Sequence, residues 1–197
     1  MAHLRLRAGA LIVLEGLDGS GKSTQRQRLS DLPWAEPGPG FLHLPSGLTS
    51  VTRGIYQLTE SCPIQSPLAR QLLHLACQAE LMPELVKLRE RAGVILDRWW
   101  WSTLAYGWYG GHLADAGIQQ SVFFGMIDTI WRRQPADVIF LFLTPFTADP
   151  LNRHDVRQAY EDLAERYAPA TVVVPPGSEE DTTAFIVDSL RDRGQLT

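Results

Sequence analysis

The sequence lacks several features that would place it in other classes of protein. It has only two cysteines, Cys62 and Cys77, which are too few for a disulfide framework and show no metal-site spacing. No apolar run approaches the ~20 residues needed to span a bilayer. The short apolar run that ends at Leu14 is followed by Glu15 and Asp18, where a signal peptide would have a cleavage site. We therefore expect a cytoplasmic protein in a reducing compartment, with no membrane partner.

The sequence also has no excess of basic residues. The 197 residues include 18 Lys and Arg against 22 Asp and Glu, which gives a net charge of −4. This balance argues against a general nucleic-acid-binding surface, although it allows a local basic cluster for phosphates. A chain of this length can form one well-buried core, so we expect a single domain over residues 1–197.

Short apolar runs alternate with longer helical patterns along the chain. The runs predict strands at positions 10–14, 41–44, 94–97, 138–143 and 171–174. The stretches between them predict helices at 22–32, 49–60, 67–91, 102–107, 121–133, 154–167 and 181–193, with a kink at Pro83. The run at 138–143 is apolar without alternation, which is typical of a central strand buried on both faces. The order of elements predicts an α/β fold with a mostly parallel sheet and helices on both faces.

The segment after the first predicted strand has the pattern of a phosphate-binding loop, G-x-x-x-x-G-K-[ST]. Its glycines allow backbone amides to surround phosphate oxygens, and the following helix directs the positive end of its dipole at them. Lys22 would contact the β- and γ-phosphates, and the Ser23 hydroxyl would bind Mg²⁺. A chance glycine-rich turn is the alternative, but the strand and helix around the loop favour nucleotide binding. The expected nucleotide-binding residues are Gly16, Leu17, Asp18, Gly19, Ser20, Gly21, Lys22, Ser23 and Thr24.

A second charged motif follows the strand predicted at 94–97. Asp97 and Arg98 stand at its carboxyl end, where open α/β sheets bind their ligands. The acid can hold Mg²⁺ through water or accept a proton, and the arginine can bind a phosphate with two hydrogen bonds. The alternative is a structural ion pair at a strand end.

Together, the two motifs resemble those of the thymidylate kinase family. The loop fits G-x-[DE]-x-x-G-K-[ST]-[ST], and Asp97-Arg-Trp-Trp-Trp-Ser-Thr-Leu-Ala-Tyr106 fits D-R-[aromatic]-x-x-S-x-x-A-[YF]. The resemblance covers residues 11–167 and implies a three-layer fold of the P-loop NTPase type with a five-stranded parallel sheet. It also implies a homodimeric kinase that uses ATP and Mg²⁺ to phosphorylate a nucleoside monophosphate, first of all dTMP to dTDP.

The resemblance further implies roles for individual residues. Lys22 and Arg98 would be catalytic, with Arg98 bridging the donor and acceptor phosphates. Asp97 would also be catalytic, and together with Ser23 it would hold the metal ion. Asp18 would face the acceptor sugar or organise Mg²⁺. The other acceptor-binding residues would be Arg53, His74, Gln78, Ser102, Thr103 and Tyr106.

The sequence departs from the family pattern around the acceptor base. Gln78 takes the place of the arginine that binds thymine, and His74 takes the place of the stacking aromatic residue. Because glutamine both donates and accepts hydrogen bonds, a broader specificity or a purine deoxynucleotide acceptor stays open. Both residues could also be plain polar residues on a helix beside the cleft. Gly107 stands where glutamine is frequent, and the three tryptophans at 99–101 are expected to pack rather than react.

A second departure concerns the lid that follows the strand predicted at 138–143. This segment is short, and we expect a shortened lid around residues 144–157. Phosphoryl transfer needs positive charge on the transferring group, and Arg153 is the expected source, with Arg157 a weaker match. The alternative for Arg153 is a solvent-exposed arginine at the start of a helix.

Two other functions fit parts of the pattern. A deoxynucleoside kinase would need a carboxylate base, for which Glu15 is the candidate, although Asp97-Arg98 followed by Ser102 fits a phosphorylated acceptor better. A GTPase-like switch would carry N-K-x-D after the fourth predicted strand, and the sequence has no such stretch.

Overall fold

A computed structural model describes residues 3–45, 47–111 and 113–197 of the chain. Its strands are β1 (Leu11–Gly16), β2 (Gly40–His43), β3 (Val94–Asp97), β4 (Val138–Phe142) and β5 (Thr171–Val173). In this part of the chain they form one five-stranded sheet in the order β2-β3-β1-β4-β5. Every pairing is parallel. The predicted parallel α/β sheet is confirmed.

The helices follow the predicted order. They are α1 (Lys22–Ser30), α2 (Ser50–Ser61), α3 (Pro67–Ala92), α4 (Trp100–Ser102), α5 (Gln120–Trp131), α6 (His154–Arg166) and α7 (Glu179–Asp192). Pro83 lies inside α3, which is one helix from end to end. The short helix α4 leads directly into a π-helical segment, Thr103–Tyr109, which the sequence pattern did not distinguish from an α-helix. Within the described ranges, no helix is both long and apolar enough to cross a membrane.

The core lies on both sides of the sheet. All residues of β1, β3 and β4 are buried, and alternate side chains enter different clusters. Val13 packs in the cluster that contains Leu85 of α3, whereas Ile12 packs with Leu29 of α1 and Ile186 of α7. Helices therefore cover both faces, as the apolar run of β4 predicted.

The strand register brings three loops together at the carboxyl edge of the sheet. Leu14 of β1 pairs with Asp97 at the end of β3, and Gly16 pairs with Phe142 at the end of β4. The phosphate-loop motif, the Asp97-Arg98 motif and residues 143–153 all leave the sheet here. This edge therefore holds the expected phosphate-loop residues together with Asp97, Arg98 and Arg153.

Candidate active site

The turn between β1 and α1 contains the phosphate-loop motif. Gly16, Gly19 and Gly21 have φ angles of 132°, 69° and 90°, which side chains of L-residues strongly disfavour. A Cβ atom at Gly16 would lie 2.0 Å from the carbonyl oxygen of Phe142. Only glycine therefore permits the close approach of this turn to the end of β4.

Lys22 lies inside the curve of the loop and is almost fully buried. Its Nζ donates a hydrogen bond to the carbonyl oxygen of Leu17 at 2.5 Å and lies 3.4 Å from Ser20 Oγ. Burial, and then the charge of Arg98, lower the pKa of Lys22 to about 8. The ammonium group therefore keeps its charge at neutral pH, at the position where the motif places phosphate oxygens.

Asp97 is the buried carboxylate of the site. Its Oδ2 accepts a hydrogen bond from Ser23 Oγ at 2.7 Å, and His43 Nδ1 and Arg26 Nε lie 3.1 and 3.7 Å away. Burial raises the pKa of Asp97, but His43, Ser23 and the charge of Lys22 outweigh it, so the pKa falls below its ordinary value. The contacts of His43 and Arg26 were not predicted from the sequence.

The oxygen atoms of Asp97 and Ser23 suit Mg²⁺. Asp97 Oδ1 is buried and has no hydrogen-bond partner among the described residues, so its lone pairs are available to a cation or its water ligands. In the same ranges, no group of three or more His, Cys, Asp and Glu side chains could hold a metal ion. Mg²⁺ takes most of its ligands from water and substrate phosphates, so one or two protein oxygen atoms can hold it.

Arg98 connects the phosphate loop to the second motif. Its guanidinium forms an ion pair with Asp18, donates to Ser102 Oγ at 3.3 Å and lies 5.7 Å from the ring centre of Tyr106. Within the described residues, Arg98 alone among non-glycine residues has a positive φ, 70°. A left-handed backbone costs about 1–2 kcal/mol, so the surrounding contacts must hold this conformation.

Glu15 occupies the centre of a buried network under this motif. Its carboxylate accepts hydrogen bonds from the backbone N–H groups of Trp99 and Ser102 at 2.6 and 3.0 Å. It also accepts from the hydroxyls of Ser102 and Tyr160 at 2.7 and 3.1 Å. Burial raises the pKa of Glu15, although the hydrogen bonds from Ser102 oppose the rise. Glu15 therefore fixes the first turn of α4, and both of its oxygens are engaged.

Asn152 is a site residue that the sequence analysis missed. The backbone N–H of Asp18 donates to Tyr106 Oη at 2.8 Å and to Asn152 Oδ1 at 2.9 Å. Asn152 Nδ2 in turn donates to the carbonyl oxygen of Asp18 at 2.7 Å. The same connecting segment reaches the loop again where Phe146 N–H donates to the carbonyl oxygen of Gly19 at 2.9 Å. Residues 143–153 therefore lie directly against the phosphate loop.

A cavity of about 570 Å³ opens beside Arg98, between α3 and the π-helical segment. With one exception, the predicted acceptor-binding residues line it: Asp18, His74, Gln78, Arg98, Ser102, Thr103 and Tyr106. The exception is Arg53, which is exposed on α2. Arg153 also lines the cavity.

Three side chains in and behind one wall of this cavity are joined by hydrogen bonds. Gln78 Nε2 donates to Thr103 Oγ1 at 2.6 Å, and Trp131 Nε1 donates to Gln78 Oε1 at 2.7 Å. One turn earlier on α3, His74 lines the same wall. Burial, and then the charge of Arg70, lower the pKa of His74. The imidazole therefore favours the neutral form at neutral pH.

The two candidate lid arginines have different surroundings. Arg153 precedes α6, donates to Asp155 Oδ2 at 2.7 Å and lies 3.5 Å from the carbonyl oxygen of Gly110. Arg157 donates to Glu161 Oε1 at 2.9 Å and to the carbonyl oxygen of Leu143 at 2.9 Å. The structure therefore places Arg153 on the cavity and uses Arg157 to hold the residue that follows β4.

A second, smaller cavity of about 70 Å³ lies on the other side of the phosphate loop. Thr24 and Gln25 of α1 line it, together with Phe146 and the pair Pro175 and Pro176. The Phe146 ring lies over Gly21, where an added Cβ would be 3.2 Å from it. The loop therefore separates two cavities, and the larger one contains Arg98.

Comparison with known proteins agrees with this geometry. A family model described as thymidylate kinase matches residues 14–168. A thymidylate kinase of Chlorobium luteolum is 42% identical over 103 residues, 51% of this chain and 48% of the relative. One from Chlorobium limicola is 33% identical over 141 residues, 70% of this chain and 63% of the relative. The chain thus spans about half to under two thirds of the length of these curated relatives.

The fold has a counterpart among solved structures. The crystal structure of thymidylate kinase from Ehrlichia chaffeensis superimposes with a TM-score of 0.74 at 24% sequence identity. The match covers 92% of this chain and 98% of that chain. At this identity the similarity shows the shared fold.

Proposed function

Because this chain belongs to the thymidylate kinase family, we propose that it transfers the terminal phosphoryl group of ATP to a nucleoside monophosphate, first of all dTMP. The products would be ADP and dTDP. The observation that carries this proposal is the position of Arg98. Its guanidinium is paired with Asp18 of the phosphate loop and also lines the large cavity, so it can contact donor and acceptor phosphates together.

Catalysis would rest on position and charge, without a covalent intermediate. Lys22 and the amides of the loop would bind the β- and γ-phosphates of ATP. Arg98 would orient the acceptor phosphate, and Asp18 would keep the guanidinium in place. Ser23 and, through water, Asp97 would hold Mg²⁺, which neutralises charge on the donor phosphates when bound.

The surroundings of Glu15 support a phosphorylated acceptor over a nucleoside. A nucleoside kinase needs a carboxylate that is free to accept the proton of a neutral hydroxyl. Both oxygens of Glu15 already accept hydrogen bonds from Trp99, Ser102 and Tyr160. An arginine in the cavity wall is the group that a phosphate monoester requires.

Arg153 and Phe146 would complete the donor side. We place Arg153 against the transferring phosphoryl group, because it lines the cavity that contains Arg98, and Arg157 does not. The adenine of ATP would lie in the small cavity against Phe146 and the Pro175-Pro176 pair. Residues 144–157 would then act as the shortened lid of a single-domain kinase.

The apolar face of α3 and α5 supports the proposed homodimer. Leu72 and Val122 are 44% and 51% exposed, and they border a groove with Ala79, Met126 and Ile130. Apolar residues gathered on one surface are typical of a subunit interface. Light scattering during gel filtration would test this. We also propose a cytoplasmic location. The free thiols of both cysteines support a reducing compartment.

The decisive experiment measures ADP formation with ATP and Mg²⁺ against each common ribo- and deoxynucleoside monophosphate and against thymidine. We expect dTMP to give rapid turnover and thymidine to give none. Lys22→Ala and Arg98→Ala should each abolish turnover with unchanged circular dichroism. Arg191→Ala is the control, since Arg191 is 50% exposed on α7 and pairs with Asp188. Failure of every monophosphate to produce ADP would contradict the proposal.

A further inference from the structure

Gln78 is held from both ends in the wall of the large cavity. The residue is 4% exposed and lines that cavity. Trp131 Nε1 lies 2.7 Å from its Oε1, and Thr103 Oγ1 lies 2.6 Å from its Nε2. Trp131 is itself 3% exposed. The carboxamide therefore has one neighbour for each of its polar atoms.

The chemistry of the indole decides which way this carboxamide faces. A tryptophan N–H can only donate a hydrogen bond, so the atom opposite it must be the carbonyl oxygen of Gln78. Rotating the amide by 180° would set N–H against N–H and leave a buried donor unpaired. The penalty for that loss corresponds to a roughly ten- to hundredfold preference for the observed orientation.

The fixed orientation gives the cavity a defined polarity. Oε1 of Gln78 is directed at Trp131, and one of its two amide N–H bonds is directed at Thr103. Thr103 lines the large cavity and Trp131 does not, so the amide nitrogen of Gln78 is the end nearer the cavity and Oε1 faces away from it. The second N–H is therefore the group of Gln78 that we expect to meet a ligand. The hydroxyl of Thr103 can donate or accept a hydrogen bond, so it is compatible with this orientation of the Gln78 amide.

We propose that Trp131 is a positioning residue that fixes Gln78 as a hydrogen-bond donor toward the acceptor base. The cavity then favours bases with a carbonyl group at that edge, the 4-oxopyrimidines and 6-oxopurines, over 4-aminopyrimidines and 6-aminopurines. This inference rests on the proposed nucleoside monophosphate kinase function. It removes the ambiguity of a glutamine, which on its own could bind either type of base.

The cost of the wrong base follows from the same geometry. An amino group at this edge would set a donor against the donor of Gln78, and neither would be paired. We expect a loss of about 10- to 100-fold in kcat/KM for such a base. The amide of Gln78 cannot turn to relieve the conflict while Trp131 holds its carbonyl oxygen.

The test compares dUMP with dCMP, which differ in size very little and present a carbonyl or an amino group at position 4. The wild-type protein should prefer dUMP by about tenfold or more in kcat/KM. Trp131→Phe removes the indole N–H and frees the amide to turn, so the ratio should fall toward one. Gln78→Glu presents acceptor oxygens to the base, so the preference should turn toward dCMP.

The matched control is Trp101→Phe. Trp101 is also fully buried, but its indole N–H has no hydrogen-bond partner among the described residues. This variant should therefore lose packing and leave the dUMP to dCMP ratio unchanged. Thermal unfolding of every variant shows which proteins are folded. If Gln78→Glu does not fold, Trp131→Phe alone decides the outcome.

Two failures can be told apart. If the wild-type protein phosphorylates no monophosphate, the proposed function itself is wrong. If it phosphorylates dTMP but Trp131→Phe keeps the wild-type ratio of dUMP to dCMP, the inference about Trp131 is overturned and the kinase function stands. Preference for dCMP by the wild-type protein would overturn the inference as well.

Discussion

Tyr106 Oη and Asn152 Oδ1 lie 2.8 Å apart and together accept the backbone N–H of Asp18. Asn152 also donates to the carbonyl oxygen of Asp18 at 2.7 Å. The conformation of the phosphate loop is therefore set by two side chains from outside the motif. One comes from the π-helical segment and the other from the segment that follows β4.

Replacement of Asn152 should weaken this arrangement. Asn152→Ala removes hydrogen bonds to both backbone groups of Asp18, which should lower the free energy of unfolding by about 1–3 kcal/mol. The KM for ATP should rise, since the loop is held less firmly. Urea unfolding and steady-state kinetics measure the two effects.

Tyr106→Phe completes a double-mutant cycle with Asn152→Ala. Because the two groups share one N–H donor, the effects on stability should deviate from additivity by more than about 0.5 kcal/mol. Additive effects would mean that the two residues act independently on the loop.

Gly16→Ala should be severely destabilising. The added methyl group would lie 2.0 Å from the carbonyl oxygen of Phe142 at a φ of 132°, so β1 and β4 would have to separate. We expect a loss of about 3 kcal/mol or more, or no folded protein. The control is Gly54→Ala in α2, where an added Cβ meets no atom within 4 Å. It should be neutral or raise stability by up to about 1 kcal/mol.

Lys22 should make stability depend on pH in the absence of ligands. Its pKa is about 8 in the folded protein against an ordinary value of 10.5, so between these values the unfolded chain binds more protons. The free energy of unfolding should therefore rise with pH in this window, by about 2 kcal/mol between about pH 7.5 and about pH 10. Denaturant unfolding of the wild-type protein and Lys22→Met should show this gain only in the former. An equal pH dependence of the two proteins would show that Lys22 is not the cause.

Arg153 should matter for the rate and Arg157 for local order. Arg153→Met should lower kcat by about 10³-fold or more if its charge meets the transferring group, with little change in KM for the acceptor. Arg157→Met loses a part-exposed ion pair with Glu161, worth about 0–1 kcal/mol, and should keep most of the activity. Equal effects of the two substitutions on kcat would contradict the assignment of Arg153.

Much of the fold and part of the site could be predicted from the sequence. Strand β4 is an uninterrupted apolar run, and β1 begins with one at 11–14. Residues of this kind reach low energy only where both faces of a sheet are covered. The glycines around Lys22 and the Asp97-Arg98 pair each follow a strand directly. Since parallel strands end at one edge, their convergence needed no knowledge of side-chain packing.

The remaining features depend on contacts between distant parts of the chain. Asn152 reaches Asp18 across 134 positions, and Trp131 reaches Gln78 across 53. Neither pair has a local pattern, because the contact arises from how the elements pack rather than from periodicity. Arg53 is the reverse case. Its position in the chain suggested a phosphate contact, but the structure leaves its side chain exposed and outside the cavity wall.

The tryptophan cluster gives the protein its own optical signal. Trp99 lines the large cavity, and its ring centre lies 5.1 Å from that of Trp100, 6.5 Å from that of Trp101 and 5.8 Å from that of Trp131. Indoles this close exchange excitation energy, so a change at one ring alters the emission of all four. Intrinsic fluorescence should therefore report occupancy of the cavity without any attached dye.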